Sequence, residues 1–354
     1  MARLRRAEQF HPSEIAVVHV MCRVVRRCFL MGSDTVSGKC YDHRKLWIEQ
    51  QLERAAACFG IDLIAFSLMS NHLHLVLRAR PDVVASWDDT EIARRWLKLC
   101  PSRKNKRDLA KEPTECELNS IRNDPDRVAE LRSRLSDISW WVRLMCQRIA
   151  KRANAEDGLD GHFWQGRYKA VRLLDEAAIL ACAAYVDLNP IRAAMAETIE
   201  DSEFTSAQRR VQSLTQPAEA EPSSHINRPP RSDACLVPVH IDELRDGLGV
   251  QASKSAFRCS DKGFCTLTET DYLQLLDWTS RQIALGKRGS PPSEAPPIFE
   301  RLRIEPVAWC RLVSNFDSLF SLVAGRPSRV DAHRSRIRRH RFNLPAQTRQ
   351  LLGT

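Results

Sequence analysis

The sequence predicts an α+β fold, an antiparallel sheet covered by helices, and three observations lead there. Ile15 to Arg26 (IAVVHVMCRVVR) is rich in β-branched residues and reads as a strand. Asp62 to Leu68 and His72 to Leu77 are apolar runs parted only by Met69-Ser70-Asn71, the pattern of a hairpin. Between and beyond them lie stretches with helical apolar spacing, and strands mixed with helices in this order make a sheet with helical cover.

Taken in order, the first strand is followed by a helix from Lys45 to Phe59, with Leu46, Leu52, Ala55 and Ala56 at helical intervals and a stop at Gly60. The hairpin's second arm carries His72 and His74 near its start. From Pro81 to about Arg134 the chain is charged and broken by Pro101, Pro113 and Pro125, which predicts an inserted or partly helical excursion with little core of its own. Asp137 to Ala153 reads as a helix with an apolar face of Ile138, Trp141, Leu144, Met145 and Ile149. After Gly158 and Gly161 come a short extended run to Leu174 and a helix that starts at Asp175 and is interrupted at Pro190.

These elements predict a first domain over residues 1–212, with the excursion at about 81–134, then a linker over 213–233 whose Pro217 to Pro230 is Pro- and Ser-rich. Residues 234–354 form a mainly helical C-terminal extension, with a Pro-rich segment from Gly286 to Pro297. Arg326 to Arg341 holds seven arginines against one acid, Asp331, and reads as an electrostatic arm or a disordered solubilising end.

Composition narrows the function. The 354 residues are 43% hydrophobic, enough for a sizeable core, and Lys and Arg outnumber Asp and Glu by 54 to 44. The formal charge of +10 and isoelectric point near 9.2 favour an anionic partner such as nucleic acid. No apolar run reaches the roughly 18 residues that a bilayer span needs, and Glu8, His11 and Glu14 stand where a signal peptide would be apolar. A soluble cytoplasmic protein without a membrane partner is expected. The twelve cysteines form no CxxC pair, so zinc ribbons and disulfide scaffolds are disfavoured.

Residues two apart on a strand share a face, so His72 and His74 can turn both imidazoles toward one ion. Two histidines leave coordination positions open, as a catalytic site requires, although an HxH on a strand is more often a pair of surface or hydrogen-bonded histidines. Tyr185 and Asn189 are i and i+4 and share a helix face if the helix persists to Pro190. Ala178 and Ala181 extend that stripe, either as a shallow path for a nucleic-acid backbone or as a close-packing surface.

Three blocks carry a resemblance: LMSNHLHLVLR (Leu68 to Arg78), GHFWQGRYKAVRL (Gly161 to Leu173) and AYVDLNPIRAAM (Ala184 to Met195). Together, and in this order, they resemble the single-tyrosine HUH transposases, most nearly the REP-associated tyrosine transposases, over roughly residues 14 to 207. The excursion at 81–134 and the C-terminal extension depart from that pattern.

The resemblance implies a ferredoxin-like HUH nuclease core in which His72, His74 and Asn189 bind Mg²⁺ or Mn²⁺ and Tyr185 attacks a phosphodiester. The product implied is a 5′-phosphotyrosine with a free 3′-hydroxyl. The implied partner is single-stranded or hairpin DNA in a bacterial nucleoid, with a homodimer left open. Phosphate contacts are expected from Arg23, Arg143, Arg148, Lys151, Arg152, Arg167 and Lys169, each of which could equally be a solvated charge. Trp140, Trp141 and Trp164 are expected in the core, and Tyr168 in packing or DNA contact. Three other readings stand beside this one: an HUH replication initiator or relaxase, a domesticated DNA-binding protein that does not cleave, and a metal-dependent hydrolase that uses water in place of tyrosine.

Overall fold

The structure, a computed structural model, describes residues 5–25, 28–34, 37–103, 111–215, 232–241, 249–284, 296–337 and 342–351. The linker segment Pro217 to Pro230, most of the Pro-rich 286–297 segment and the last arginines of the basic run lie outside the described residues.

Five strands form one sheet: β1 (Val17–Arg23), β2 (Ile61–Leu68), β3 (His72–Ala79), β4 (Lys169–Leu173) and the two-residue β5 (Val323–Ala324). Their order is β2-β3-β1-β4-β5, antiparallel throughout except for the parallel β4–β5 pair. The expected hairpin is β2–β3, and both arms run a little longer than the apolar runs alone suggested.

Two crossovers interlock in this sheet. Helix α1 (His43–Cys58) joins β1 to β2. Between β3 and β4 run α2 (Pro81–Ala85), α3 (Asp89–Leu99), α4 (Glu115–Arg122), α5 (Pro125–Leu135) and α6 (Ile138–Asp157). Strand alternation then divides the sheet into two faces. Val18, Val20, Leu73, Leu75 and Leu77 pack with Ile48 and Leu52 of α1 and Trp141, Met145 and Ile149 of α6. Val17, Val76, Val171 and Leu173 face the other way, onto α7 (Glu176–Asp187). A β-bulge between Leu63 and Ala65 keeps β2 in step with this division by shifting its alternation.

The excursion at 81–134 differs from expectation, because its helices build core. Ile92, Ala93, Trp96, Leu99, Leu118, Ile121, Leu131 and Leu135 are buried with α1 and α6. Its polar residues are helix starts: Asp88 caps α3, Thr114 and Glu117 form a capping box on α4, and Asp124 caps α5. Pro125, which reads as a break, occupies the first turn of α5, where a missing N–H costs nothing.

Beyond α7 come the single-turn α8 (Asn189–Arg192), α9 (Ser206–Thr215), α10 (Glu269–Ala284), α11 (Ile298–Leu302), α12 (Pro306–Leu319), α13 (Pro327–Ile337) and α14 (Ala346–Leu351). Tyr272, Leu275, Trp309, Leu312 and Phe316 of this stretch share one core with α7 and the sheet. Part of the arginine-rich run is ordered as α13, where Val330 and His333 are buried and Asp331 pairs with Arg334 and Arg349.

Two buried carboxylates tie the extension down. Asp187, fully enclosed at the end of α7, accepts from the Tyr272 hydroxyl at 2.7 Å, the Ala207 amide at 3.0 Å and the Ser206 hydroxyl. Asp62 accepts from Arg78 Nε at 2.7 Å, Ser260 Oγ at 2.7 Å and Arg80 Nη1 at 3.4 Å. Burial alone would raise the Asp62 pKa, but the Arg78 and Arg80 guanidiniums outweigh it and hold the carboxyl below its ordinary value. Among the described residues no helix is long and apolar enough to cross a membrane.

Candidate functional site

The site lies on the sheet face that carries α7. On β3, His72 and His74 alternate with Leu73, which enters the opposite core, so both imidazoles face α7. Helix α7 brings Tyr185 against them: its ring centroid is 5.4 Å from His74, with the two planes nearly perpendicular. The His72 and His74 rings are 4.9 Å apart.

A third imidazole completes the cluster. His19 sits mid-way along β1, and its Nε2 is 2.8 Å from His74 Nδ1. The ring centroids are 5.1 Å apart with planes within 8°, so the two rings meet edge to edge rather than face to face. His19 also meets the Tyr185 ring edge-on at 5.8 Å. His72 Nδ1 is 2.6 Å from the side-chain oxygen of Asn71. Both candidate ligands thus have Nδ1 engaged; His74 Nε2 is buried without a hydrogen-bond partner.

Burial sets the protonation of the whole cluster. It pushes His19 down to about 4 against a smaller opposing pull from Asp317. His72 is lowered to about 4 by burial and then by the Arg23 charge. For His74 burial, with His19 and His72 behind it, holds the pKa well below the ordinary value. At neutral pH all three rings are uncharged, and each has one ring nitrogen with a free lone pair and one that carries a proton. Burial also raises the Tyr185 phenol to about 12, with the Arg192 charge opposing.

Asn189 opens α8, after a break at Leu188 (φ −88°, ψ 7°) that ends α7 at Asp187. Helical geometry therefore does not persist to the proline, and the shared i, i+4 face does not follow from spacing. The Asn189 side chain is nonetheless 7% exposed, with its amide nitrogen unpartnered. Among the described residues no group of three or more His, Cys, Asp or Glu side chains is arranged to hold a metal. A divalent ion here would be held by two imidazoles with an amide oxygen; the orphaned Nε2 of His74 suits that donor set, whereas the unpartnered atom of Asn189 is its amide nitrogen, a donor, and only its oxygen could ligate.

Helix α12 covers the centre. Phe316 packs on Tyr185 at 5.7 Å and on His19 at 5.9 Å, and Tyr185 is only 5% exposed. The Arg192 guanidinium lies 4.4 Å from the Tyr185 ring centroid and donates to the Ser314 carbonyl of α12 at 2.6 Å. Ala178 and Ala181 are buried in the same core as α12, so the alanine stripe is a packing surface and not an open path.

The basic residues are divided. Arg23 ends β1 in register with His72, and Lys169 pairs with Asp317 of α12 at 3.7 Å, so both border the centre. Arg167 is exposed just before β4. Arg143, Arg148, Lys151 and Arg152 ride on α6, across the sheet from Tyr185. Arg148 is turned inward to Gln51 at 3.1 Å and the Leu99 carbonyl, while Arg143 and Arg152 lie over Trp140 and Trp47. Chain order brings α6 close to the site motifs, but its apolar stripe commits it to the other face.

The FWQGRYK block runs alongside the end of β1: Gln165 N donates to Arg23 O at 2.8 Å, and Val25 N to Phe163 O at 3.0 Å. Its Tyr168 is packed, with its hydroxyl 3.0 Å from Ser139 Oγ and Arg6 over its ring. Trp141 is fully buried, whereas Trp140 and Trp164 are half-buried. His19, Arg192, Phe316 and Asp317 were not singled out from the sequence. Only His19 had a signal, as a lone imidazole among β-branched residues on the strand face opposite Val18 and Val20.

No protein-family model and no curated protein matches the chain. A solved structure of a REP-associated tyrosine transposase bound to a REP hairpin is similar over 64% of this chain and 95% of that one, at 13% identity and a TM-score of 0.31. At that overlap the likeness bears no weight for fold or function.

Proposed function

We propose that this chain is a metal-dependent single-stranded DNA endonuclease and strand transferase, with Tyr185 as nucleophile and His72, His74 and Asn189 as ligands of Mg²⁺ or Mn²⁺. One observation carries the reading: a tyrosine ring stands 5.4 Å from an imidazole whose outer nitrogen is buried and unpartnered, inside a cluster of neutral histidines. The three sequence blocks support it, as does a sheet of order 2-3-1-4 whose α1 and α6 lie on one face, in keeping with a ferredoxin-like HUH core. The net charge of +10 suits a polyanionic substrate such as a single-stranded or hairpin DNA end.

In this reading the Tyr185 oxygen attacks phosphorus as the bond to the 3′ oxygen breaks. The 5′ phosphate stays on Tyr185, and the leaving oxygen takes up a proton as a 3′-hydroxyl. Reversal by another 3′-hydroxyl rejoins the strand. With the phenol at about 12, proton loss has to accompany attack, and Arg192 beside the ring favours the phenolate. Arg23 and Lys169, which border the centre, would hold phosphates in this reading, Lys169 by exchanging its contact with Asp317. A divalent ion bound there supplies charge neutralisation on the scissile phosphate and in-line orientation. Since α12 covers the phenol, it has to give way to the strand.

The test is a labelled hairpin oligonucleotide incubated with the protein and Mn²⁺, then resolved under denaturing conditions. A covalent adduct is expected with wild type, mapping to Tyr185 by peptide mass spectrometry, and none with Tyr185→Phe. An adduct that survives Tyr185→Phe overturns the assignment. A second reading, a DNA-binding protein with an idle centre, draws on the 5% exposure of Tyr185 and 1% of His74. It gains if DNA binding persists in His72→Ala and under chelation while wild type neither cleaves nor forms an adduct.

A further inference from the structure

Resting on the metal reading above, we infer that His19 is a positioning residue: it accepts a hydrogen bond from His74 Nδ1 and so presents the His74 Nε2 lone pair to the cation. The contact between Nε2 of His19 and Nδ1 of His74, 2.8 Å long, places one proton between two nitrogens. In one arrangement His19 donates, and His74 then carries its own proton on Nε2. In the other His74 donates, and its Nε2 is a bare lone pair.

The surroundings separate these two. His74 Nε2 is buried with no hydrogen-bond partner, so a proton on it would be a donor without an acceptor, a loss of about 1–3 kcal/mol that nothing in the site repairs. A lone pair at the same place is an orphan that a cation satisfies. The adjacent ring follows the same plan, since the Asn71 side-chain oxygen, 2.6 Å from His72 Nδ1, can only accept and so fixes the proton on that nitrogen. Two histidines from one strand thereby expose the same ring nitrogen, each through a neighbour that takes its Nδ1 proton.

His19 is not itself a ligand in this arrangement. Its Nε2 is spent on His74, and the ring is enclosed by Tyr185 and Phe316, both edge-on to it. Its position, opposite Val76 of β3 in the β1–β3 register and two pairs from the Met21–His74 partners, is what lets the two rings meet in a plane.

Two measurements test the assignment. In metal-free full-length protein, ¹⁵N–¹H correlation of the imidazoles should find His74 protonated on Nδ1; a proton on Nε2 overturns the inference. Mn²⁺ titrations followed by electron paramagnetic resonance should find binding weakened on the order of 10- to 100-fold in His19→Leu and within a few-fold of wild type in His19→Gln, whose amide oxygen can accept in place of Nε2. A merely structural role would lower thermal stability in both variants without this split. Equal Mn²⁺ affinity in wild type and a folded His19→Leu overturns the inference alone. Wild type that binds no Mn²⁺ overturns it together with the metal reading. If His19→Leu does not fold, the tautomer measurement on wild type decides.

Discussion

Phe316 of α12 lies against Tyr185 of α7, ring centroids 5.7 Å apart, although 131 positions separate them in the chain. The extension therefore supplies one wall of the tyrosine's environment, and the buried phenol owes part of its weak acidity to it.

Replacing Phe316 with Ala should remove that wall. A fully buried phenylalanine lost from a packed core costs about 3–5 kcal/mol, read from urea unfolding. The same variant should make Tyr185 reactive to tetranitromethane where wild type is protected, as mapped by peptide mass spectrometry. Equal nitration of the two proteins would show that Phe316 does not control access.

The histidine cluster predicts acid sensitivity. His19 and His72 titrate at about 4 in the folded chain against 6.5 when exposed. Between those values the unfolded chain binds protons that the folded chain does not, so stability is complete above about pH 6.5 and falls as pH drops toward 4. The slope should be about 1.4 kcal/mol per pH unit for each such histidine. Urea unfolding in EDTA across this range should show it, and His19→Gln should lose about one proton's worth of slope.

Asp62 is a structural anchor. Its carboxylate accepts from Arg78, Arg80 and Ser260, and joins the 249–265 region to the sheet edge. Asp62→Ala leaves the buried Arg78 guanidinium with carbonyl partners alone, while Arg80 keeps Asp82 at 2.8 Å, and should cost about 3–5 kcal/mol, seen as a fall in Tm. A change below about 1 kcal/mol, the range of exposed ion pairs, would mean the arginines find other partners.

The two buried tyrosines of this core should behave differently. Tyr272 donates to Asp187 at 2.7 Å and has no imidazole neighbour among its ring contacts. Tyr272→Phe should lose about 1–3 kcal/mol of stability and keep the covalent DNA adduct, whereas Tyr185→Phe should lose the adduct. Loss of the adduct in a folded Tyr272→Phe protein would argue against Tyr185 as sole nucleophile.

The elements legible in the sequence are those whose signal is local. A β-branched run marks β1, and two apolar runs parted by Met69-Ser70-Asn71 mark the β2–β3 hairpin; the helical spacing of Trp141, Met145 and Ile149 marks α6. Part of the centre was legible for the same reason, since His72 and His74 share a strand face and Tyr185 lies on α7, but the break at Leu188 that separates Asn189 from that helix was not. The helices α3 to α5 were obscured, because their capping residues and the N1 proline resemble loop punctuation when the partner surface is unknown.

By itself, then, the sequence determined local periodicities: which residues share a strand face, as His72 and His74 do, and which apolar stripe buries a helix, as in α6. Tertiary structure alone decided which faces meet. It set α6 and its arginines across the sheet from Tyr185, brought His19 edge-on to His74, and closed α12 over the phenol. Spacing within an element follows from backbone geometry a few residues long, whereas contact between elements depends on how apolar faces distant in the chain are buried together.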